Sequence, residues 1–565
     1  MKKKFLLYHI IYIAFFSVSF GQNLNLEIVG ESEIENKQID SVSYKKSHPD
    51  FNSAKTETDS LLSNLISLGY LESKLKNIEK VNDSTLLSSL SLGRKYKNLT
   101  VYFDKNYFSK SEISTFATKF NDTSFTIPIQ ITKSVLSYLN NSITKKGYPF
   151  ASIKLSNIKV GFDNNVFSSL IIDLNGSQRR IDKIVIRGYE KFPKSYIKHF
   201  LKIKEGDIFT INSIQKKTSK LKNLRFASEI KTPEALFKND STTLYLYLEK
   251  TNSNTFDGFL GFGTNQETNK IEFDGYLNLN LNNNLNYGES LSLYYKSDEN
   301  KQRTFDVRIS MPYLFKTPLG VELGLNIFKK DTLFTTSSQR ANVYYQLNSK
   351  NRFSIGIEGI QSNKISNSEI LSSFEDYKTN SYSIGYIYLL NNQTNLYLFP
   401  VKSTIQTSFG FGNRKIDDES QPQSNAYINL QHLIELNEKN YIFLRLQGSG
   451  IFSDNYYVNE LLRFGGLNSI RGFEENSLTA TSYGLINAEY RYLLSKGIYA
   501  HTITDFSYLD NQIASLKEKL YSFGFGFGIM TQAGVLRIIY ANGKAENQNF
   551  SLSNSKVHIS FNTFF

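Results

Sequence analysis

The stretch LRFGGLNSIRGF, residues 462–473, lies between two segments in which polar and apolar residues alternate. Its centre is Ile470-Arg471-Gly472-Phe473, where glycine allows the sharp bend that carries the arginine. Alternation with a period of two is typical of β-strands, because successive side chains point to opposite faces. The stretch is therefore predicted to be a loop between two strands of one sheet.

Two strands that follow this loop each direct a carboxylate to the polar face. Glu489 lies in YGLINAEYRYLL, residues 483–494, and Asp505 lies in the next strand, GIYAHTITDFSYL. If the polar face lines an enclosed lumen, an inward-folding loop would bring Arg471 between the two acids. Charge-assisted hydrogen bonds of this kind are stronger than neutral ones. An arginine in a long loop is usually solvated. The two carboxylates are the reason to predict that Arg471 is instead held by charge-assisted hydrogen bonds, an arrangement that we call a lock.

Three segments in this order, LRFGGLNSIRGF, NAEYRYLL and ITD, resemble the loop-six signature of the BamA/TamA family of outer-membrane protein assembly factors. The resemblance implies that the arginine of an (I/V)RG(F/Y) tip packs inside a barrel against an aromatic-x-Asp motif. It assigns the loop-six lock to Arg471, Gly472, Phe473, Glu489 and Asp505. Ile503 stands where the family usually has an aromatic residue, and Ser507 where glycine is common. These departures are expected to weaken ring packing against Phe473 and to leave the charge pairing intact.

Length and composition narrow the class of protein. With 565 residues the chain is too long for one core, so two or more domains are expected. Cysteine is absent, which excludes a disulfide framework, a thiolate zinc site and a cysteine nucleophile. Aromatic residues make up 14% of the chain and suit the girdles of a membrane barrel. The six histidines show no HExxH spacing and no G-x-S-x-G is present, so we predict no enzyme, no catalytic residues, no metal and no cofactor.

The amino terminus, MKKKFLLYHIIYIAFFSVSFGQ, has a basic segment, an apolar run and Ser19-Phe20-Gly21 as a cleavage site. We predict a signal peptide over residues 1–21; the alternative is a membrane anchor, which the short run and the missing stop-transfer flank disfavour. The 65 basic residues, less three leader lysines, against 52 acidic residues leave a mature charge of about +10. Export argues against a nucleic-acid partner and favours anionic headgroups or acidic client segments.

Residues 24–250 contain a threefold repeat of low identity. Glycine closes the helical pattern of the first two copies, at Gly69-Tyr70 and Gly147-Tyr148, as helix stops prefer. The third copy is predicted to be a β-α-α-β-β unit and resembles a POTRA domain; three before a barrel are the TamA-like arrangement. The first copy is the poorest match, because SYKKSHPDFNSAKTE is polar and predicts no first helix. The predicted bounds of the three domains are 22–96, 97–177 and 178–251.

Three lysines, Lys194, Lys198 and Lys202, recur at helical spacing on the predicted first helix of the last repeat. A solvated helical face and contact with membrane headgroups are both open interpretations.

From about Asn254 to Phe565 the period switches to two, over about sixteen alternating segments. We predict α+β periplasmic POTRA repeats followed by an all-β transmembrane barrel of about 16 antiparallel strands, residues 252–565. The barrel is expected in the cell outer membrane, with the amino-terminal domains in the periplasm. In YSFGFGFGIM the phenylalanines face one way and the glycines the other. Glycines on the lumen side are expected to leave room for the inserted loop.

The first and last barrel strands form the predicted lateral seam. Glycine weakens strand pairing, and the first strand, TFDGFLGFGT, holds three of them. The seam residues are Gly258, Gly261, Gly263, Val557, Ile559 and Phe561. The terminal Phe565 resembles the carboxyl-terminal aromatic insertion signal of barrel proteins; an interfacial anchor is the alternative.

The resemblance implies an assembly factor that receives clients on its POTRA domains and inserts them through the lateral seam. The implied partners are outer-membrane client proteins, the lipid bilayer and a TamB-like periplasmic protein, and the barrel is expected to be monomeric. The alternative is a two-partner secretion translocator pore of the FhaC type, which also has POTRA domains and an (I/V)RG(F/Y) loop. That class normally carries two POTRA domains behind an amino-terminal plug helix.

Overall fold

The computed structural model describes residues 23–161, 163–264, 271–297, 302–365, 374–392, 398–532, 534–549 and 551–564. The predicted signal peptide and Phe565 lie outside these ranges. The chain divides into two compact units, residues up to 180 with 208–210, and residues 181–207 with 211–565. No helix of the described part is long and apolar enough to cross a membrane. The domain bounds predicted from the sequence stay predictions.

The first sheet of the first unit carries two helices on one side. Its elements are β1 (Leu24–Val29), α1 (Glu33–Asp40), β2 (Ser47–His48), α2 (Phe51–Ser67), β3 (Lys74–Asn82) and β4 (Thr85–Ser91), with the strand order β2-β1-β4-β3. The expectation that this repeat lacks a first helix was wrong. Helix α1 lies upstream of the polar stretch, with Ser32 as its N-cap, and buries only Ile39. A helix with so small an apolar face leaves little periodic signal in the sequence.

The second sheet of this unit has five strands, in the order β6-β7-β5-β9-β8. Its elements are β5 (Asn98–Tyr102), α3 (Lys110–Ile113), β6 (Lys119–Phe120), β7 (Ser124–Pro128), α4 (Thr132–Lys145), β8 (Ser152–Val160) and β9 (Asn165–Asp173). The predicted helix stops are confirmed. Gly69 follows α2 with φ +109° and Gly147 follows α4 with φ +94°, a region of backbone space that glycine enters freely.

The second unit begins with a three-stranded sheet of order β10-β12-β11. Its elements are β10 (Lys183–Gly188), α5 (Ile211–Thr218), β11 (Ala227–Phe237) and β12 (Thr242–Lys250). The predicted first helix is only a single π turn, Tyr196–Phe200. Lys202 follows this turn in the left-handed region, so the three lysines do not continue one helical face.

Within the described ranges, sixteen antiparallel strands close a barrel in chain order, as the sequence predicts. They are β13 (Thr255–Thr264), β14 (Ile271–Asn282), β15 (Ser290–Ser297), β16 (Gln302–Met311), β17 (Leu319–Lys330), β18 (Phe334–Gln346), β19 (Asn351–Lys364), β20 (Tyr377–Asn391), β21 (Val401–Ile416), β22 (Glu419–Glu435) and β23 (Asn440–Ser453), then β26 (Ser482–Ser495), β27 (Ile498–Asn511), β28 (Leu516–Met530), β29 (Gly534–Ala545) and β30 (Ser555–Phe564). Loop six, residues 454–481, joins β23 to β26. It contains a small hairpin of β24 (Leu462–Phe464) and β25 (Leu478–Ala480).

Alternation along the barrel strands separates an outer from an inner face. The rings of Phe523, Phe525 and Phe527 are exposed on the outside of β28, as the pattern predicts. Leu444 and Leu446 are likewise exposed, whereas Arg445 between them bonds to the carbonyl of Asn468 in loop six. The loop therefore lies on the inner side of the wall.

Candidate functional site: the lumenal lock of loop six

Loop six turns back on itself inside the barrel. Gly465 and Gly466 have φ values of +112° and +91°, which lets the chain reverse after β24. Ile470 is completely buried, in an apolar cluster that includes Phe464. The ring of Phe464 stacks on Tyr483 of β26 at a centroid distance of 4.2 Å. Apolar packing thus fixes both arms of the loop, while the charged residues contact its tip.

Arg471 lies at the tip between the two predicted carboxylates. Its Nε donates to Asp505 Oδ2 at 2.8 Å and its Nη2 to Asp505 Oδ1 at 2.5 Å, a bidentate pair. The backbone N–H of Arg471 also donates to Asp505 Oδ2, at 3.0 Å. The remaining Nη1 donates to Glu489 Oε1. The arginine side chain is 5% exposed and Asp505 is fully buried, so these charges are paired away from water.

The second carboxylate oxygen of Glu489 accepts a hydrogen bond from a residue that the sequence analysis did not select. Arg491 Nε donates to Glu489 Oε2 at 2.7 Å, and His501 Nδ1 lies 3.4 Å from the same oxygen. The signal was present in the sequence, because Glu489 and Arg491 are two residues apart and therefore share a strand face. Glu489 joins the loop tip to the barrel wall through two different arginines.

Space for the tip is made by a glycine on β29. Gly472 has φ +80°, and a Cβ there would overlap the backbone N of Gly543. A Cβ on Gly543 would lie 2.6 Å from Cε2 of Phe473. The expectation that the β28 glycines receive the loop was wrong. Gly526 faces His501 and Gly528 faces Tyr499, so those two glycines accommodate wall side chains.

Ile503, which replaces the family's usual aromatic, is buried against Ile539, Ala541 and Leu467. Ser507 donates to the carbonyl of Gly484 at 3.0 Å. Ile503 therefore packs on both the barrel wall and loop six, whereas Ser507 bonds within the wall.

A second buried ion pair holds the stem of loop six. Arg414 of β21 is fully buried, and its Nη1 donates to Glu460 Oε1 at 2.6 Å and to Oε2 at 2.8 Å. Its Nη2 donates to Gln421 Oε1 at 2.6 Å, and Gln423 donates to Glu460 at 3.1 Å. Sequence reasoning missed this pair, because its members are far apart in the chain and follow no motif. Loop six is fixed at its stem as well as at its tip.

Residues 398–400, which lead into β21, also lie inside the barrel, at the end adjoining the third repeat. Phe399 is 2% exposed and its ring packs on Tyr441 and Tyr499 at 5.3 and 4.8 Å. The guanidinium of Arg491 lies 5.0 Å from the same ring. A cavity of about 280 Å³ separates this turn from the loop tip, and both Arg471 and Arg491 line it. Arg491 therefore stands between the lock and a second inward segment.

The first and last strands of the barrel are joined over a very short ladder. Among the described residues, β13 and β30 pair only at Thr255–Phe564 and Phe256–Thr563, with Thr563 Oγ1 donating to the Phe256 carbonyl. In contrast, β13 pairs with β14 along its whole length. The three predicted seam glycines lie on β13 beyond this ladder. On β30, Val557 and Ile559 are exposed on the outside, and Val557, Ile559 and Phe561 all pair with residues of β29.

Comparisons with known proteins agree with this architecture. The POTRA family, described as "Surface antigen variable number repeat", matches residues 179–250. Among solved structures, CdiB from Escherichia coli superposes with a TM-score of 0.52 at 13% identity, over 84% of this chain and 91% of that one. Residues 179–250 thus match the POTRA family, and the chain shares its fold with CdiB. The predicted fold class, an α+β POTRA-like region followed by a barrel that has sixteen antiparallel strands in the described residues, is confirmed.

Two further solved structures match this POTRA barrel protein. BamA from Haemophilus ducreyi lacking POTRA domains 1-3 has 14% identity and a TM-score of 0.49, over 77% of this chain and 93% of that one. CdiB from Acinetobacter baumannii has 18% identity and a TM-score of 0.49, over 79% of this chain and 84% of that one. No curated protein sequence matches significantly. A POTRA match that precedes a closed barrel agrees with the outer-membrane and periplasmic location expected from the sequence.

Proposed function

We propose that this protein inserts outer-membrane client proteins through the seam between β13 and β30, without catalysing a chemical reaction. The proposal is supported by the ladder between these strands, which has two pairs in the part of the chain that the structure describes, whereas β13 pairs with β14 along its whole length. Backbone N–H and C=O groups cannot stay unpaired in hydrocarbon, so a short ladder in the membrane is the place where another strand can add most easily.

Strand exchange at this seam would lower the barrier to insertion. The edge of β13 beyond Gly258 offers backbone groups to an incoming client strand. As that strand enters, its backbone would exchange hydrogen bonds to water for hydrogen bonds to β13. Phe565 is proposed to serve as the protein's own insertion signal. The loop-six lock is proposed to keep β26 and β27 fixed while the seam opens. No nucleotide, metal or other cofactor enters this scheme.

The POTRA region supplies sheet edges on which extended client segments could dock. Strands β3, β8 and β11 each form one edge of their sheet. On β8 the side chains of Ile158 and Val160 are more than half exposed, at 60% and 54%. An exposed edge with apolar side chains is a template for strand addition. The same edges are where a TamB-like periplasmic partner would bind.

The seam can be locked with a disulfide, because the chain has no cysteine of its own. Phe256 and Thr563 are paired across the seam, and Phe256 and Leu279 are paired across β13 and β14. We expect the oxidised F256C/T563C protein to lose insertion of an outer-membrane barrel client into proteoliposomes, measured by protease protection, and to regain it on reduction. The oxidised F256C/L279C control should insert normally. Equal insertion by the two oxidised proteins would rule out the seam as the route.

The alternative, a secretion translocator, requires a lumen wide enough for an extended polypeptide. Arg471 of loop six and Phe399 of the turn before β21 both lie inside the barrel and would have to leave. A translocator should therefore show large single-channel conductance and depend on one exported partner. An assembly factor should show small conductance and lose several clients from the outer membrane on deletion.

A further inference from the structure

Two periplasmic turns of the barrel contact the third POTRA domain. The first turn, residues 283–289, joins β14 to β15, and the second turn, residues 312–318, joins β16 to β17. Tyr189 of the domain donates to Asn286 Oδ1 at 2.6 Å and accepts from Asn283 Nδ2 at 2.8 Å. Tyr196 donates to the carbonyl of Gly288 at 3.1 Å. These contacts place the domain directly beneath strands that neighbour the seam.

The second turn holds an unusual conformation. Tyr313, Phe315 and Lys316 have φ values of +54°, +52° and +60°, in a region that bulky residues rarely adopt. Tyr313 is buried, with its ring 4.7 Å from Tyr196 in an edge-on contact and 5.6 Å from His199 in a stacked one. Burial raises the pKa of the Tyr196 hydroxyl well above its ordinary value. Packing against the POTRA domain accounts for the strain at Tyr313.

That packing does not account for Phe315, which is 93% exposed. A strained backbone that turns a phenylalanine away from every neighbour is unfavourable in water. In the first turn, Leu285 and Tyr287 are also exposed, at 66% and 67%. Both turns contact Tyr196, so these exposed apolar side chains belong to neighbouring turns, and exposed apolar side chains grouped in this way mark a contact surface.

The surroundings of the turns indicate what covers these side chains. Met311 at the end of β16 and Leu319 at the start of β17 are exposed on the outside of the barrel, so the lipid-facing surface continues up to the second turn. Exposed lysines flank the apolar cluster, Lys194 and Lys198 on the POTRA domain and Lys316 on the turn. Apolar and aromatic tips next to lysines are the composition of segments that lie at the membrane–water interface.

We infer that the two turns and the lysine-bearing segment of the third POTRA domain form one contact surface for the periplasmic leaflet of the bilayer. Phe315, Leu285 and Tyr287 enter the interfacial zone of the phospholipids, and the lysines contact phosphate groups. The surface holds the POTRA domain against the membrane beside β14 to β17, close to the seam. The inference does not depend on the insertion role, because a secretion translocator could use the same surface.

The chain contains no tryptophan, so a single introduced indole reports on its own surroundings without background. We would reconstitute full-length F315W into phospholipid vesicles and measure its emission maximum, its quenching by acrylamide and its quenching by lipids brominated near the headgroup end of the acyl chain. Two single-tryptophan controls bracket the result. Ile230 on β11 of the same POTRA domain is half-exposed to water, and Phe525 faces outward in the middle of β28.

We expect F315W to emit to the blue of I230W, to resist acrylamide, and to be quenched by shallowly brominated lipids, whereas F525W is quenched best by deeply brominated ones. Y287W should repeat the F315W pattern. If F315W and Y287W match I230W in emission and in both kinds of quenching, the leaflet contact is refuted, and a protein partner would have to cover these side chains. Heat-modifiable electrophoretic mobility checks that each variant has folded.

The lysines are tested in the F315W background with K194Q/K198Q/K316Q. In vesicles that contain anionic phospholipid, we expect the triple variant to lose part of the blue shift and part of the lipid quenching. Unchanged spectra would remove the lysines from the contact surface.

Discussion

The β26–β27 wall and the β13–β30 seam belong to one barrel but are held together very differently. At β26 and β27, Arg471 of loop six is buried against Glu489 and Asp505 with all three of its donor groups engaged. At the seam, the residues that the structure describes join the first strand to the last through two residue pairs and one side-chain hydrogen bond. Among the described residues, the buried ion pairs of loop six therefore lie at β26 and β27 and not at the junction of β13 with β30. Under the proposed function, the barrel opens at that junction.

The two regions also differ in how mutations should act. A buried ion pair is costly to break on one side, because the remaining charge is left without a partner in a site that water does not reach. An exposed hydrogen bond or ion pair contributes little, since water replaces the lost partner. Lock variants should therefore change the stability of the whole barrel, and seam variants should change local opening.

The largest effect is expected for R471A. It leaves Asp505 buried without its bidentate partner and removes one of the partners of Glu489, so the free energy of unfolding should fall by about 3–5 kcal/mol. Urea unfolding in detergent micelles, followed by heat-modifiable mobility, measures the change. R340A is the matched control, because Arg340 is 46% exposed and pairs with Glu358 on the barrel wall. A loss no larger for R471A than for R340A would mean that the lock does not stabilise the barrel.

A smaller loss is expected for E460Q at the stem of loop six. Arg414 loses its charged partner but keeps the oxygens of Gln421 and Asn455 as acceptors, so the cost should be about 1.5–3 kcal/mol. The same unfolding assay applies, with D418N as control, since Asp418 is fully exposed beside Lys415. If E460Q and D418N unfold at the same urea concentration, only the tip anchors the loop.

The smallest effect on global stability is expected for T563V at the seam. The substitution keeps the side-chain shape and removes the hydroxyl that donates to the Phe256 carbonyl, which should cost about 0.5–1.5 kcal/mol. The loss should appear as faster amide exchange in β30 with little shift of the urea midpoint. T563S retains the hydroxyl and should exchange like the parent protein. Should T563V instead lower the urea midpoint as much as R471A does, the two regions would not differ in kind.

The charged residues of the lock could be proposed from the sequence, because strand alternation determines which side chains face inward. Glu489 and Asp505 occupy polar-face positions on consecutive strands, so any loop folded into the lumen meets both of them. The closed barrel and the helix-ending glycines followed from equally local patterns. In each case a period of two or a single glycine carries the information.

What could not be predicted depends on register between distant segments. Gly543 receives the loop tip because of how β29 is aligned with β28, and no local pattern distinguishes it from Gly526 or Gly528. The Arg414–Glu460 pair joins β21 to a loop that follows two strands later. The strained turn at Tyr313 depends on packing against the third POTRA domain. Tertiary contacts determine all three, and the residues themselves have no distinctive spacing.

Amide hydrogen exchange of the unmodified protein in lipid nanodiscs, resolved by mass spectrometry, tests most directly whether the barrel opens at one junction. We expect β30 and the half of β13 beyond Gly258 to exchange much faster than β26 and β27, which flank the lock. Equal protection of the four strands, or faster exchange in β26 and β27, would contradict it.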